Sequence, residues 1–242
     1  MARVHEISTT DRKQLAPLLN VDAVSDALAT YCALHHPAEK LKLIVSSDGS
    51  GKPNGFLAIA QTGMDLFRPI AVPFVASSNI FQDLLRVALK PGQPVLLYLP
   101  LDQRDWLMDD LVLTETRITE LLRIDPMSFR PIVNVLVLEV FTPSGLPRYE
   151  IRTKSGSYAA AGINWLGERF AEVYLEADHE AQVRGLGLSV LSAMNNHLIE
   201  ESRIPLFRSD DTNKLGYDEL LSIGYRATGS RTLITQILFK PT

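Results

Sequence analysis

The run Gln182-Val183-Arg184-Gly185-Leu186-Gly187 constrains this chain more than any other stretch. Before it, Phe170-Ala171-Glu172-Val173-Tyr174-Leu175-Glu176 alternates; after it, apolar residues recur at Leu188, Leu191, Met194 and Leu198, spaced by threes and fours. The change of period reads as strand, glycine loop, helix. A junction of this kind leaves the first backbone N–H groups of the helix without internal partners. It also aims the positive end of the helix dipole at whatever lies in front, which suits a phosphate or pyrophosphate. A strand-to-helix turn can also carry glycine for conformational reasons alone, with no ligand.

Gln182 stands where the dinucleotide fingerprint G-x-G-x-x-G needs its first glycine, so that reading fails. The loop instead resembles the Arg/Gln-x-x-Gly-x-Gly/Ala loop of the GNAT acyltransferase superfamily, with Gln182, Gly185 and Gly187 at the defining positions. Phe170-Ala171-Glu172-Val173 and Gln-Val-Arg-Gly are most similar to its histone-acetyltransferase branch. The resemblance implies an acyl-CoA co-substrate, acetyl-CoA first, with its pyrophosphate on residues Gln182, Val183, Arg184, Gly185, Leu186 and Gly187. Its pantetheine would lie along the main chain at Leu175 and Ala177, where the strand is expected to splay from its neighbour. Arg184 either pairs with a phosphate or is solvated. Asn213 is a cofactor contact or a helix N-cap.

Strand alternation puts Ala171, Val173, Leu175 and Ala177 on one face and Glu172, Tyr174, Glu176 and Asp178 on the other. The resemblance makes Glu172 the base that deprotonates an acceptor amine, with Glu176 the alternative on the same face. Together with Tyr174 they form either an acidic, partly aromatic wall for a cationic substrate or an exposed strand face with solvated carboxylates. The family usually places a tyrosine acid seven residues after the asparagine, followed by Gly-Phe. Here that position is Leu220, ahead of Gly224-Tyr225, and Tyr217, about one helical turn earlier, is the substitute candidate. Leu220 also favours a second reading, a GNAT-fold protein that binds CoA as a sensor or interaction module.

The remaining chain fits a pair of such units. With 242 residues and 46% hydrophobic content it can build one large or two small domains. Helices are expected over 11–19 and 22–35, strands over 41–46, 55–61 and 69–76, a helix from residue 80, a strand over 95–99, a short helix over 102–110, and strand or helical turn over 111–122. The stretch 123–131, with two prolines, reads as a linker. Strands over 133–141, 148–153, 158–165 and 170–177 lead into the loop and its helix. A strand over 204–208, a helix over 213–223 and a closing strand over 230–239 complete the order. The expected class is α/β with a mixed sheet: two tandem GNAT-like halves, 1–125 and 126–242, the first a degenerate copy without the glycine loop. Gly49-Ser50-Gly51-Lys52 is a hairpin turn rather than a phosphate loop, since proline and then a strand follow the lysine.

Cys32 is the single cysteine, so no internal disulfide exists. Cys32 and His35 share a helical face with apolar residues, and together with His36 they read as packing rather than as metal ligands. Twenty-four Lys+Arg against 28 Asp+Glu, without a basic block, argue against nucleic-acid binding. No apolar run is long enough for a membrane span. The expected setting is cytoplasmic, and the expected partner an amine-bearing small molecule or a protein amine.

Overall fold

A computed structural model describes residues 3–62, 67–210 and 215–240. The chain forms two compact units, Met1–Thr119 with Ser230–Thr242, and Glu120–Gly229. The sequence boundary at 125/126 therefore falls inside the second unit, and the last strand belongs with the first. The reason is pairing: from Thr232 to Ile237 that strand is laddered antiparallel to residues 95–100.

The first unit begins with β1 (Arg3–Ile7), a strand the sequence reading did not include. A helical region follows, less regular than two α-helices. Thr9–Leu18 winds as 3₁₀ turns around Pro17, which cannot supply an α-helical N–H. Val24–Asp26, α1 (Ala27–Thr30) and the wide π turn Tyr31–His35 then run on, ended by Pro37. Next come β2 (Leu41–Ser47), β3 (Pro53–Ala60), β4 (Ile70–Val75), α2 (Ser78–Ala88), β5 (Val95–Pro100), a 3₁₀ stretch Leu101–Trp106, and β6 (Leu111–Ile124), which is strand throughout. The strands order as β1-β2-β3-β4-β5-β12, with β12 being Tyr225–Phe239. Alternation splits the core into two faces. One buries Leu57, Leu84, Leu97 and Leu233 with α2; the other buries Leu15, Cys32, Leu43 and Phe56 with the helical region, so Cys32 is core packing.

The second unit contains β7 (Leu138–Phe141), β8 (Pro147–Arg152), β9 (Tyr158–Leu166), β10 (Phe170–Ala177), α3 (His179–Val183), α4 (Leu186–Glu200), β11 (Ile204–Ser209) and α5 (Tyr217–Ser222). Its strands order as β6-β11-β10-β9-β8-β7. β7 is shorter than the expected 133–141. Helix α4 packs on β8, β9 and β10, burying Leu191, Met194 and Leu198 against Ala159, Ala161 and Val173. The other face carries the even-numbered side chains of β10. Among the described residues no helix is long and apolar enough to cross a membrane, and none form a metal-holding group of three or more His, Cys, Asp or Glu.

Candidate functional site

The site starts from an interrupted ladder. β10 and β11 run parallel and pair from Phe170↔Ile204 to Val173↔Phe207, then stop. Both strands continue, β10 to Ala177 and β11 to Ser209, the latter still paired on its far side with β6. Among the described residues, 174–176 therefore have no ladder partner on the β11 side, and backbone groups on such an edge need another partner. Leu175 lies in this open segment, whereas Ala177, at its end, is engaged by Gln182.

The loop that follows is held by its own side chains. Asp178 caps α3, its Oδ1 accepting from the Ala181 N–H at 2.8 Å. Gln182 donates from Nε2 to the Ala177 carbonyl at 3.1 Å, so this side chain fixes the loop to the strand end. Gly185 sits at φ 69°, a left-handed conformation that favours glycine, and serves as the N-cap of α4 without any side-chain cap. The N–H groups of the first turn of α4, including those of Leu186 and Gly187, have no acceptor within that helix. A Cβ on Gly187 would meet Leu175 Cδ2 at 3.4 Å and Leu215 Cδ2 at 3.6 Å, ordinary contacts. Packing thus does not demand glycine at 187, whereas close approach of a ligand to the backbone would. Val183 is 76% exposed, and Arg184 is exposed and pairs with Glu180 at 3.3 Å.

Glu172 is placed otherwise than a solvent-facing base requires. It is 2% exposed, and its carboxylate accepts from Asn164 Nδ2 at 3.1 Å, Trp165 Nε1 at 3.2 Å and Arg208 Nη2 at 3.0 Å. Consecutive residues of a regular strand point to opposite faces, but β9 has a bulge here. Glu172 pairs with Trp165 and Val173 with Ile163, leaving Asn164 as the extra residue. The bulge lets Asn164 and Trp165 reach the same carboxylate. A buried carboxylate held by a guanidinium and two further donors is a structural ion pair. All the carboxylate contacts of Glu172 are thus internal, which favours Glu176 over Glu172 as the base.

Glu176, two residues on, is open. Its side chain is 54% exposed, Oε2 accepts from Arg148 Nη2 at 2.7 Å, and Oε1 has no hydrogen-bond partner among the described residues. Arg148 also donates to the hydroxyls of Tyr174, at 2.6 Å, and Tyr158. The Tyr174 ring reaches Arg148 because it crosses Gly162, where a Cβ would lie 2.4 Å from the phenol. Burial raises the Tyr174 pKa, so its phenol stays protonated. The acidic, aromatic wall expected from the sequence is therefore occupied by the chain's own guanidinium. Arg148 and Tyr158 were absent from the sequence reading; the alternation Arg148, Glu150, Arg152 on one strand face was the available signal.

Tyr217 opens α5 and is 41% exposed, and among the described residues no hydrogen bond joins it to the groups above. Leu220 is fully buried in the core of this unit. Asn213 lies outside the described residues.

No family model and no curated protein matches the chain. Solved structures do. A GNAT-family acetyltransferase from Colwellia psychrerythraea matches with a TM-score of 0.59 at 10% identity, covering 98% of this chain and 100% of that one. A Drosophila protein matches with a TM-score of 0.69 at 13% identity, covering 97% and 98%. The fold is that of the GNAT acetyltransferases. Its tandem form is matched as well: a tandem GNAT protein from the clavulanic acid biosynthesis pathway, solved without AcCoA, has a TM-score of 0.59 at 12% identity and is covered over 100% of both chains.

Proposed function

We propose that this protein is an acyl-CoA-dependent N-acyltransferase that moves an acetyl group from acetyl-CoA to a primary amine. The reading rests on one observation: the β10–β11 ladder ends at Val173↔Phe207 in front of the uncapped first turn of α4. The open main chain at Leu175 would take a pantetheine amide, and the N–H groups beyond Gly185 the pyrophosphate. Gln182 holds that loop to the strand end, and Gly187 admits the ligand. CoA supplies an activated thioester; the chain supplies position and a base.

Glu176 is the base in this reading. The amine nitrogen attacks the thioester carbonyl carbon, Glu176 Oε1 takes the amine proton, and the C–N bond forms as the C–S bond breaks. The thiolate leaves by taking a proton from water, because neither Leu220 nor Tyr217 is placed as an acid. The burial of Leu220 at the acid position supports a second reading, a CoA-binding sensor with little turnover. Acetyl-CoA at about a hundred times its dissociation constant should stabilise the fold by about 2.7 kcal/mol. Thiol release with an amine panel then separates the enzyme from the sensor. An absent melting shift in the parent protein rejects both.

A further inference from the structure

The groups around Glu176 narrow the acceptor. Arg148 lies on β8, Tyr158 on β9 and Glu176 on β10, joined across three neighbouring strands whose pairing brings Glu150, Ala160 and Glu176 into one row. Three of the five N–H donors of Arg148 are bonded: one on Nη1 to Tyr174, and both on Nη2, to Tyr158 and Glu176. The Nε–Glu150 distance is 3.8 Å, an ion pair beyond hydrogen-bond length. With Nε turned to Glu150, one donor, the second on Nη1, stays open beside a carboxylate that itself has one free oxygen. Arg152 adds a second guanidinium over the Tyr158 ring, at 4.5 Å.

A cation alone fits this surface poorly, since its place between the two tyrosine rings and Glu176 is already filled by Arg148 at 5.7 and 6.0 Å from the ring centroids. An anion alone would approach the open edge of Glu176. A molecule carrying both charges on neighbouring atoms satisfies both halves of the pair. Its ammonium would lie on Glu176 Oε1 and its carboxylate on the open Nη1 donor of Arg148.

We infer that the acceptor is a zwitterionic amine of the amino-acid type, with Arg148 as the residue that recognises its carboxylate and Glu176 as the group that receives its proton. This rests on the acyltransfer reading above. It gives Arg148 a specificity role, separate from the loop that takes the co-substrate.

The test uses paired acceptors that differ only in the carboxylate, such as phenylalanine with phenethylamine and lysine with cadaverine, in an acetyl-CoA thiol-release assay. In the parent protein kcat/KM should favour the amino acid by roughly tenfold or more, mostly through KM. Arg148→Met should bring that ratio toward one, and Arg148→Lys should restore part of it, a split that a merely structural role for Arg148 would not produce. Glu176→Gln should lower kcat for both members of a pair by about 10² without changing their ratio. The acetyl-CoA melting shift must persist in every variant, which shows folding and co-substrate binding independently of the acceptor. If that shift is present and the parent prefers the decarboxylated amine, turns over no member of the panel, or keeps its ratio in Arg148→Met, the inference is overturned. If the parent shows no shift, the acyltransfer reading fails instead.

Discussion

The chain contains the same opening twice, and the two copies differ in the backbone donors they offer. In the first unit, β4 and β5 run parallel and pair at Ile70↔Leu96 and Ala71↔Leu97, then stop, although β4 runs on to Val75 and β5 to Pro100. In the second, pairing stops at Val173↔Phe207. Counting from the last pair, Pro73 stands where Leu175 does. Proline has no N–H and is tolerated in a strand where its nitrogen faces an unpaired edge, so the first opening lacks the donor that the second offers. The helices differ in the same sense. Ser77 caps α2, its Oγ accepting from the Ile80 N–H at 3.5 Å, whereas Gly185 leaves the start of α4 uncapped. Inside the first opening Val72 and Tyr98 are buried at 4% and 7% exposure. A splayed strand pair is thus a property of the fold. A binding site needs in addition free donors on the strand and on the helix.

The sharpest way to break the comparison lies one residue before each last pair. There the first unit has Ile70, 1% exposed, and the second has Glu172 with Arg208, Asn164 and Trp165. Glu172→Ala removes the buried carboxylate that Arg208, Asn164 and Trp165 all donate to, and should destabilise the protein by about 3–5 kcal/mol. Ile70→Val removes one methyl group and should cost about 0.5–1.5 kcal/mol. Denaturant titration of the two variants checks the difference; equal losses would mean that Glu172 is not held as described.

Next in size is the loop. Gly185→Glu puts a carboxylate at the uncapped turn and should abolish the roughly 2.7 kcal/mol of stabilisation given by saturating acetyl-CoA. Gly185→Ala separates strain from charge. It should cost about 1 kcal/mol for a Cβ at positive φ while keeping the ligand shift. On the other side of the comparison, Ser77→Ala removes a long cap bond and should cost only about 0.5 kcal/mol, with no change in the acetyl-CoA shift. A Ser77 variant that altered this shift would place the ligand in the wrong unit.

These contrasts explain which parts of the protein could be read from its sequence. The β10–loop–α4 junction was legible because the hydrophobic period changes across it, and the two-half organisation followed from the element order. Alternation along β10 groups Glu172 with Tyr174 and Glu176. The burial of Glu172 was not legible, because alternation does not say whether a face is covered, and its partners come from a bulge on β9 and from a different strand. Arg148 escaped for the same reason: the meeting of β8, β9 and β10 is set by register, and the passage of Tyr174 over Gly162 is a contact between strands. The division at 119/120 and the transfer of the last strand to the first unit depend on long-range pairing, of which the prolines at 126 and 131 carry no trace. Thr9–His35 kept its helical character, but Pro17 and the wide turn at Tyr31 override the apolar spacing.

The smallest expected effect separates the units by pH. The second unit's buried charge is paired, Glu172 with Arg208; the first unit buries His36 at 2% exposure with Nδ1 3.1 Å from the Tyr31 hydroxyl and no partner for Nε2 among the described residues. The loss of solvation on burial outweighs the backbone groups of Gln61 and Lys40 beside the ring, which favour the charged form. Burial accordingly moves the His36 pKa below its ordinary 6.5. The unfolded chain therefore binds this proton first. Stability contributed by neutral His36 is complete above pH 6.5 and is lost as pH falls through the lower, folded-state value. His36→Asn should flatten the fall in melting temperature between pH 6.5 and acid, whatever offset it causes at neutral pH, and should leave the acetyl-CoA shift untouched. An unchanged acid slope would show that the imidazole is already hydrogen-bonded or charged in the folded state, and the first unit would then bury no unpaired titratable group of this kind.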